Sequence, residues 1–147
     1  MEIKKRTTYA LVLALVLVTS FYMLGSNSEG NNRESSTDGV QAARTYIAAY
    51  NEADDSKRAA MISQSFHEDG LIYTPTRELN KAGLEDMTAE FHQGYFMEIV
   101  GEVDSHHNYL SFRWKYSEKN GGESWSGIDY CEFGEDGRLT KVVIFFD

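Results

Sequence analysis

Residues 124–133, reading SWSGIDYCEF, constrain the fold most tightly. As a strand, this stretch alternates its side chains between two faces, so Trp125, Gly127, Asp129, Cys131 and Phe133 share one of them. The other face carries Ser124, Ser126, Ile128, Tyr130 and Glu132 and is the more polar. Upstream, Leu110, Phe112, Trp114 and Tyr116 alternate with Ser111, Arg113, Lys115 and Ser117 in a second strand, over 108–118. Asn120-Gly121 between them is a hairpin signal. Folding the two strands together pairs Phe112 with Asp129, Trp114 with Gly127 and Tyr116 with Trp125. Two apolar faces then coincide, which fixes the register. Asp129 is the only charge on the shared face.

The flanking segments follow from the same periodicities. Val40, Ala43, Ile47 and Tyr50 recur at helical spacing, with Tyr46 on an adjoining stripe, and predict a helix over about 39–53. Asp54 or Asp55 caps a second helix, with Ala59, Ile62 and Phe66 as its apolar face and Met61 beside it. HEDG turns the chain into a short strand, LIYT, which Pro75 ends. A third helix is expected over about 81–93. Further strands are expected over 96–104 and 138–146, the last apolar on both faces and therefore central. Helices followed by a long antiparallel meander indicate an α+β domain.

The amino end is different in kind. Lys4, Lys5 and Arg6 precede ALVLALVLV, and no charge occurs between Thr7 and Ser28. This order of charge and apolar core predicts a signal peptide or signal anchor over 1–28, with the membrane segment at about 7–24, and an extracytoplasmic domain. It is secreted or periplasmic if the leader is cleaved, and membrane-anchored if it is kept. NSEGNNRESSTD has no apolar residue to bury and reads as a flexible linker over 29–38. The folded domain is expected over 39–147.

With a net charge of −9, nucleic acid is not an expected partner. Cys131 is the only cysteine, so no intrachain disulfide forms, and it reads as a small apolar core residue. His67, His92, His106 and His107 show no metal-ligand spacing with each other or with acids, and no metal or cofactor is expected. No nucleotide loop or nucleophile elbow is visible.

Three stretches, YIAAYNEAD (46–54), FHEDGLIYTP (66–75) and GIDYCEFGEDGRLTKVVIFF (127–146), together resemble the nuclear transport factor 2 superfamily, in particular its SnoaL-like branch of ketosteroid isomerase and polyketide cyclase relatives. The resemblance covers about residues 38–147. It implies a cone, in which a strongly curved antiparallel or mixed sheet wraps around about three N-terminal helices and opens at one end to an apolar pocket. The family includes isomerases, cyclases, dehydratases and modules without activity, so the fold alone does not assign a function. In the ketosteroid isomerases a first-helix tyrosine and a protonated strand aspartate form an oxyanion hole. By pattern these fall on Tyr46 and Asp129. Their general base precedes a proline, where this chain has Thr74, whose hydroxyl cannot take a proton from carbon near neutral pH.

Tyr46 and Asp129 are therefore the candidate ligand or oxyanion donors. Phe112, Trp114, Trp125, Thr74 and His107 are candidate pocket residues, with His107 the one spare proton carrier. Both Tyr46 and Asp129 also have plain readings, as a core tyrosine and as a hydrogen-bonded acid in the cavity wall. Three functions follow. The first is a module binding a small apolar or aromatic molecule in its cone. The second is an isomerase, cyclase or dehydratase that uses Tyr46 and Asp129 and finds its base elsewhere. The third is an interaction module with a filled cone, forming a homodimer through Ile128, Tyr130, Val143 or Phe145 on the outer sheet face.

Overall fold

The computed structural model describes residues 27–147, with side chains from Asp38 onward. The expected membrane segment at residues 7–24 lies outside the described residues, among which no helix is long and apolar enough to cross a membrane. The compact unit is Ser35–Asp147. Its elements are helix α1 (Asn27–Ala49, reaching back beyond the unit), helix α2 (Asp55–Ser65), strands β1 (Phe66–Tyr73) and β2 (Glu78–Leu79), helix α3 (Lys81–Gly94), and strands β3 (Tyr95–His106), β4 (Tyr109–Glu118), β5 (Ser124–Phe133) and β6 (Leu139–Phe146). All six strands form one sheet in the order β2-β1-β6-β5-β4-β3. Only the β1–β6 pair is parallel. This is an α+β fold with a mixed sheet.

The β4–β5 hairpin has the register its two apolar faces dictate: Phe112 opposes Asp129, Trp114 opposes Gly127 and Tyr116 opposes Trp125. Gly127 is needed under Trp114. A Cβ there would lie 2.1 Å from the Phe145 carbonyl oxygen and 2.4 Å from the indole ring. β6 is central, between β1 and β5. Irregular pairing bends the sheet at three places. One lies between Val100 and Val103, where Gly101 has φ +81°, one between Glu132 and Phe133, and one in β1 between Phe66 and Leu71.

The stretch 29–38, expected as a linker, falls within the span of α1, Asn27–Ala49. Two expectations are corrected. HEDG is not a turn but an irregular part of β1 that folds back over Phe66, so close that a Cβ on Gly70 would lie 2.7 Å from the Phe66 ring. The buried face of α2 is Arg58, Ile62 and Ser65, while Ala59 is exposed. Arg58 can occupy that face because its guanidinium donates to the Glu52 carbonyl at 2.8 Å and pairs with Asp55.

Local chemistry sets the joints. Asp54 caps α2 by accepting from the Lys57 amide at 2.9 Å, and Asn80 caps α3 by accepting from the Gly83 amide at 3.0 Å. At the end of α1, the Asn51 side chain donates to the Met97 carbonyl at 2.6 Å and accepts from the Met97 amide at 2.7 Å. That clamp ties the helix end to β3 and fixes one wall of the site. The core runs from Ala43, Tyr46 and Ile47 of α1 through Ile62 and Leu84 to Phe112, Trp114, Cys131 and Val142 of the sheet.

Candidate ligand cavity

A cavity of about 360 Å³ opens beside the aromatic end of the sheet. Its walls are Tyr50 just past the end of α1, Met87 and Phe91 from α3, Met97 from β3, Trp114 and Tyr116 from β4, Ile144 and Phe146 from β6, and the loop from Thr74 to Arg77. Several walls are aromatic and in mutual contact. Trp114 stacks on Tyr116 with ring centroids 5.6 Å apart, and Tyr116 in turn stacks on Trp125 at 4.9 Å. Phe91 meets Tyr50 and Tyr116 edge-on at 5.3 and 5.2 Å. Phe146, half exposed on β6, packs its edge against Trp114 at 5.1 Å. A surface of this kind favours flat apolar molecules.

The residues singled out by sequence divide into three groups. Trp114 and Thr74 line the cavity. Tyr46 and Asp129 do not, yet each stands one hydrogen bond behind a residue that does. The Tyr46 hydroxyl is 2.9 Å from the Tyr50 hydroxyl, and the Trp114 Nε1 donates to Asp129 Oδ1 at 2.7 Å. Phe112, Trp125 and His107 form the third group, away from the cavity walls. Phe112 is buried core, and Trp125 is half-buried against Tyr116. His107 sits exposed in the β3–β4 turn with φ +55°.

The buried layer is electrostatically unusual. Asp129 has no solvent exposure, and its Oδ2 has no hydrogen-bond partner. Burial pushes its carboxyl from the ordinary 3.8 up to about 7, against the opposing pull of the Trp114 hydrogen bond. A protonated acid is the cheaper occupant of such a site. Burial also drives the hydroxyls of Tyr46 and Tyr50 upward, with the nearby Asp129 adding to both, so both phenols stay neutral. The Cys131 thiol is raised by burial and by Asp129, which makes it a poor nucleophile.

Thr74 is fully committed to its own loop. Its hydroxyl donates to the Arg77 carbonyl at 2.9 Å and accepts from the amides of Thr76 and Arg77 at 3.4 and 3.1 Å. It shapes the mouth of the cavity and has no capacity left for proton transfer. No aspartate, glutamate, histidine or cysteine lines the cavity. Among the described residues no group of three or more such side chains is arranged to hold a metal ion.

Sequence reasoning missed Tyr50, Arg77, Met87, Phe91, Met97 and Phe146 as walls of the cavity. For Tyr50 a signal existed: it lies one helical turn beyond Tyr46, at the i, i+4 spacing that lets two side chains meet. The others come from separate elements, and nothing local links them.

No family model and no curated protein matches the chain. Solved structures do. A proposed isomerase of the SnoaL-like family from Agrobacterium tumefaciens is 29% identical, with a TM-score of 0.66 over 76% of this chain and 98% of that one. In fold and in sequence pattern the chain is similar to the SnoaL-like branch of the nuclear transport factor 2-like superfamily. More distant structures share the fold. A nuclear transport factor 2-like protein of unknown function from Exiguobacterium is 15% identical, with a TM-score of 0.59 over 72% of this chain and 98% of that one. A proposed ketosteroid isomerase from Kribbella flavida is 17% identical, with a TM-score of 0.62 over 76% and 79%. This chain has a buried tyrosine, Tyr46, a buried strand acid, Asp129, and a threonine before its only proline.

Proposed function

We propose that this SnoaL-like domain is a binding module, and that it takes a small, flat, largely apolar molecule into its cavity. One observation carries the reading: the cavity is walled by aromatic and thioether side chains and has no proton acceptor of suitable basicity on its lining. Abstracting a proton from carbon needs a base within about 3 Å of it, directly or through one water. Thr74 is locked into its loop, and Asp129 lies behind Trp114. Tyr46 and Asp129 in this reading are positioning residues. They hold Tyr50 and Trp114 in place and keep the cavity wall rigid and uncharged.

The test is a fluorescence titration of the purified full chain with 2-acetonaphthone, a flat ketone. Saturable quenching of tryptophan emission, with the ketone recovered chemically unchanged, is the expected result. Met87→Trp fills the cavity and abolishes the quenching while the far-ultraviolet circular dichroism stays the same. No quenching, or undiminished quenching in a folded Met87→Trp protein, overturns the reading. Conversion of the ketone moves the assignment to an isomerase or cyclase.

We also propose that the domain works outside the cytoplasm, delivered by the leader at residues 7–24. The support is the sequence order of Lys4, Lys5 and Arg6 followed by an uncharged apolar run. A phosphatase that is active only outside the cytoplasm, fused after Asp147, is expected to be active. An inactive fusion that accumulates in the cytoplasm overturns it.

A further inference from the structure

The cavity has one charged residue on its lining, and that residue is a cation. The chain as a whole carries −9, yet Arg77 stands at the cavity with no carboxylate beside it on the lining. The other arginines near the sheet and helices are engaged: Arg58 pairs with Asp55, Arg113 with Asp147 at 2.7 Å, and Arg138 with Asp136 at 2.7 Å. Among the described residues, the Arg77 guanidinium has neither an ion pair nor a hydrogen bond. Arg44 too has no ion pair among the described residues, but it lies exposed on α1 and lines neither described cavity.

The root of Arg77 is fixed although its side chain is exposed. Its carbonyl accepts from both the amide and the hydroxyl of Thr74 at 2.9 Å, and its own amide donates back to the Thr74 hydroxyl at 3.1 Å. The threonine that replaces a base before Pro75 therefore anchors a planar five-donor cation at the cavity. A guanidinium recognises a carboxylate through two parallel hydrogen bonds, whereas a neutral ketone takes one. An aromatic interior with one bidentate cation at its edge is complementary to an amphipathic mono-anion.

We infer that Arg77 selects the ligand and that the ligand class is an aromatic or alkyl carboxylate, its apolar body against Trp114 and Phe91 and its acid on the guanidinium. This rests on the cavity being a binding site. A dianion is less suited, because a protein of net charge −9 repels the second charge.

The experiment compares two probes of the same body, 2-naphthoate and 2-acetonaphthone, by tryptophan quenching in the full chain. Wild type is expected to bind the carboxylate about fivefold more tightly than the ketone, the scale of a partly exposed ion pair. Raising the salt to about 1 M shrinks that ratio towards one, because exposed pairs are screened. Arg77→Gln removes the preference by weakening the carboxylate more than the ketone, and Arg44→Gln alters neither affinity. Equal affinities in wild type, or a preference that survives Arg77→Gln, overturn the role of Arg77. If neither probe binds, the cavity is not a binding site, and that failure is distinct from ketone binding without a carboxylate preference.

Discussion

Two layers of the domain lie one hydrogen bond apart and obey different rules. The outer layer, Tyr50 and Trp114, faces the cavity, while the inner layer, Tyr46 and Asp129, is sealed in the core. Chemistry alone would nominate the inner pair, a phenol and an acid with altered acidity. Access nominates the outer pair. Polar side chains with displaced pKa values mark burial as readily as function, and here the inner pair supports the residues a ligand would touch. If this division holds, changes in the inner layer should appear as stability and changes in the outer layer as binding.

The largest expected effect is on pH dependence. An unfolded aspartate ionises near 3.8, whereas folded Asp129 holds its proton to about 7. Between those values the native state binds one proton more than the unfolded chain, so stability falls as pH rises. It is highest below about pH 4, declines to about pH 7 and is flat beyond, for a total loss of about 4 kcal/mol. Urea unfolding of wild type against Asp129→Asn across this range checks the sign. The variant should lack this decline and be the more stable protein at pH 8, since an amide still accepts from Trp114 and carries no charge.

Gly127→Ala forces a methyl group against the Phe145 carbonyl and the Trp114 ring, and should cost about 3 kcal/mol in thermal or urea denaturation. Trp114→Phe removes the only hydrogen bond that the Asp129 side chain makes among the described residues and should cost about 2 kcal/mol. It also moves the Asp129 midpoint above about 7, measurable by carboxyl NMR. Tyr46→Phe removes the partner of the Tyr50 hydroxyl, with an expected loss of about 1 kcal/mol and little change in ligand affinity. Smallest of all, His107→Asn in the exposed β3–β4 turn should alter stability by less than about 0.5 kcal/mol and leave binding untouched. A large binding defect from Tyr46→Phe or His107→Asn would break the division into layers.

Much of the sheet was legible in the sequence. Alternation along 124–133 and 108–118 dictated both the β4–β5 partners and their register, because a slip of one residue would put every apolar side chain on the wet face. The caps at Asp54 and the extent of the third helix were likewise local signals. Other features were less legible. HEDG looked like a turn because its composition is that of turns, but pairing with β6 absorbs it as an irregularity. On α2 the expected Ile62 and Phe66 are buried, but Ala59 is exposed, because Arg58 buries its stem on that face instead.

Charge and apolar order in the sequence decided the α+β class, the hairpin register and the isolation of Asp129 on an apolar face. These are short-range quantities, fixed by periods of two and of 3.6 residues. Only the tertiary structure decided that Asp129 hides behind Trp114, that Tyr46 hides behind Tyr50, and that Arg77 meets the cavity. Depth in a packed domain is set by elements converging from distant parts of the chain, and no spacing within one strand or helix records which of two adjacent polar layers stays open.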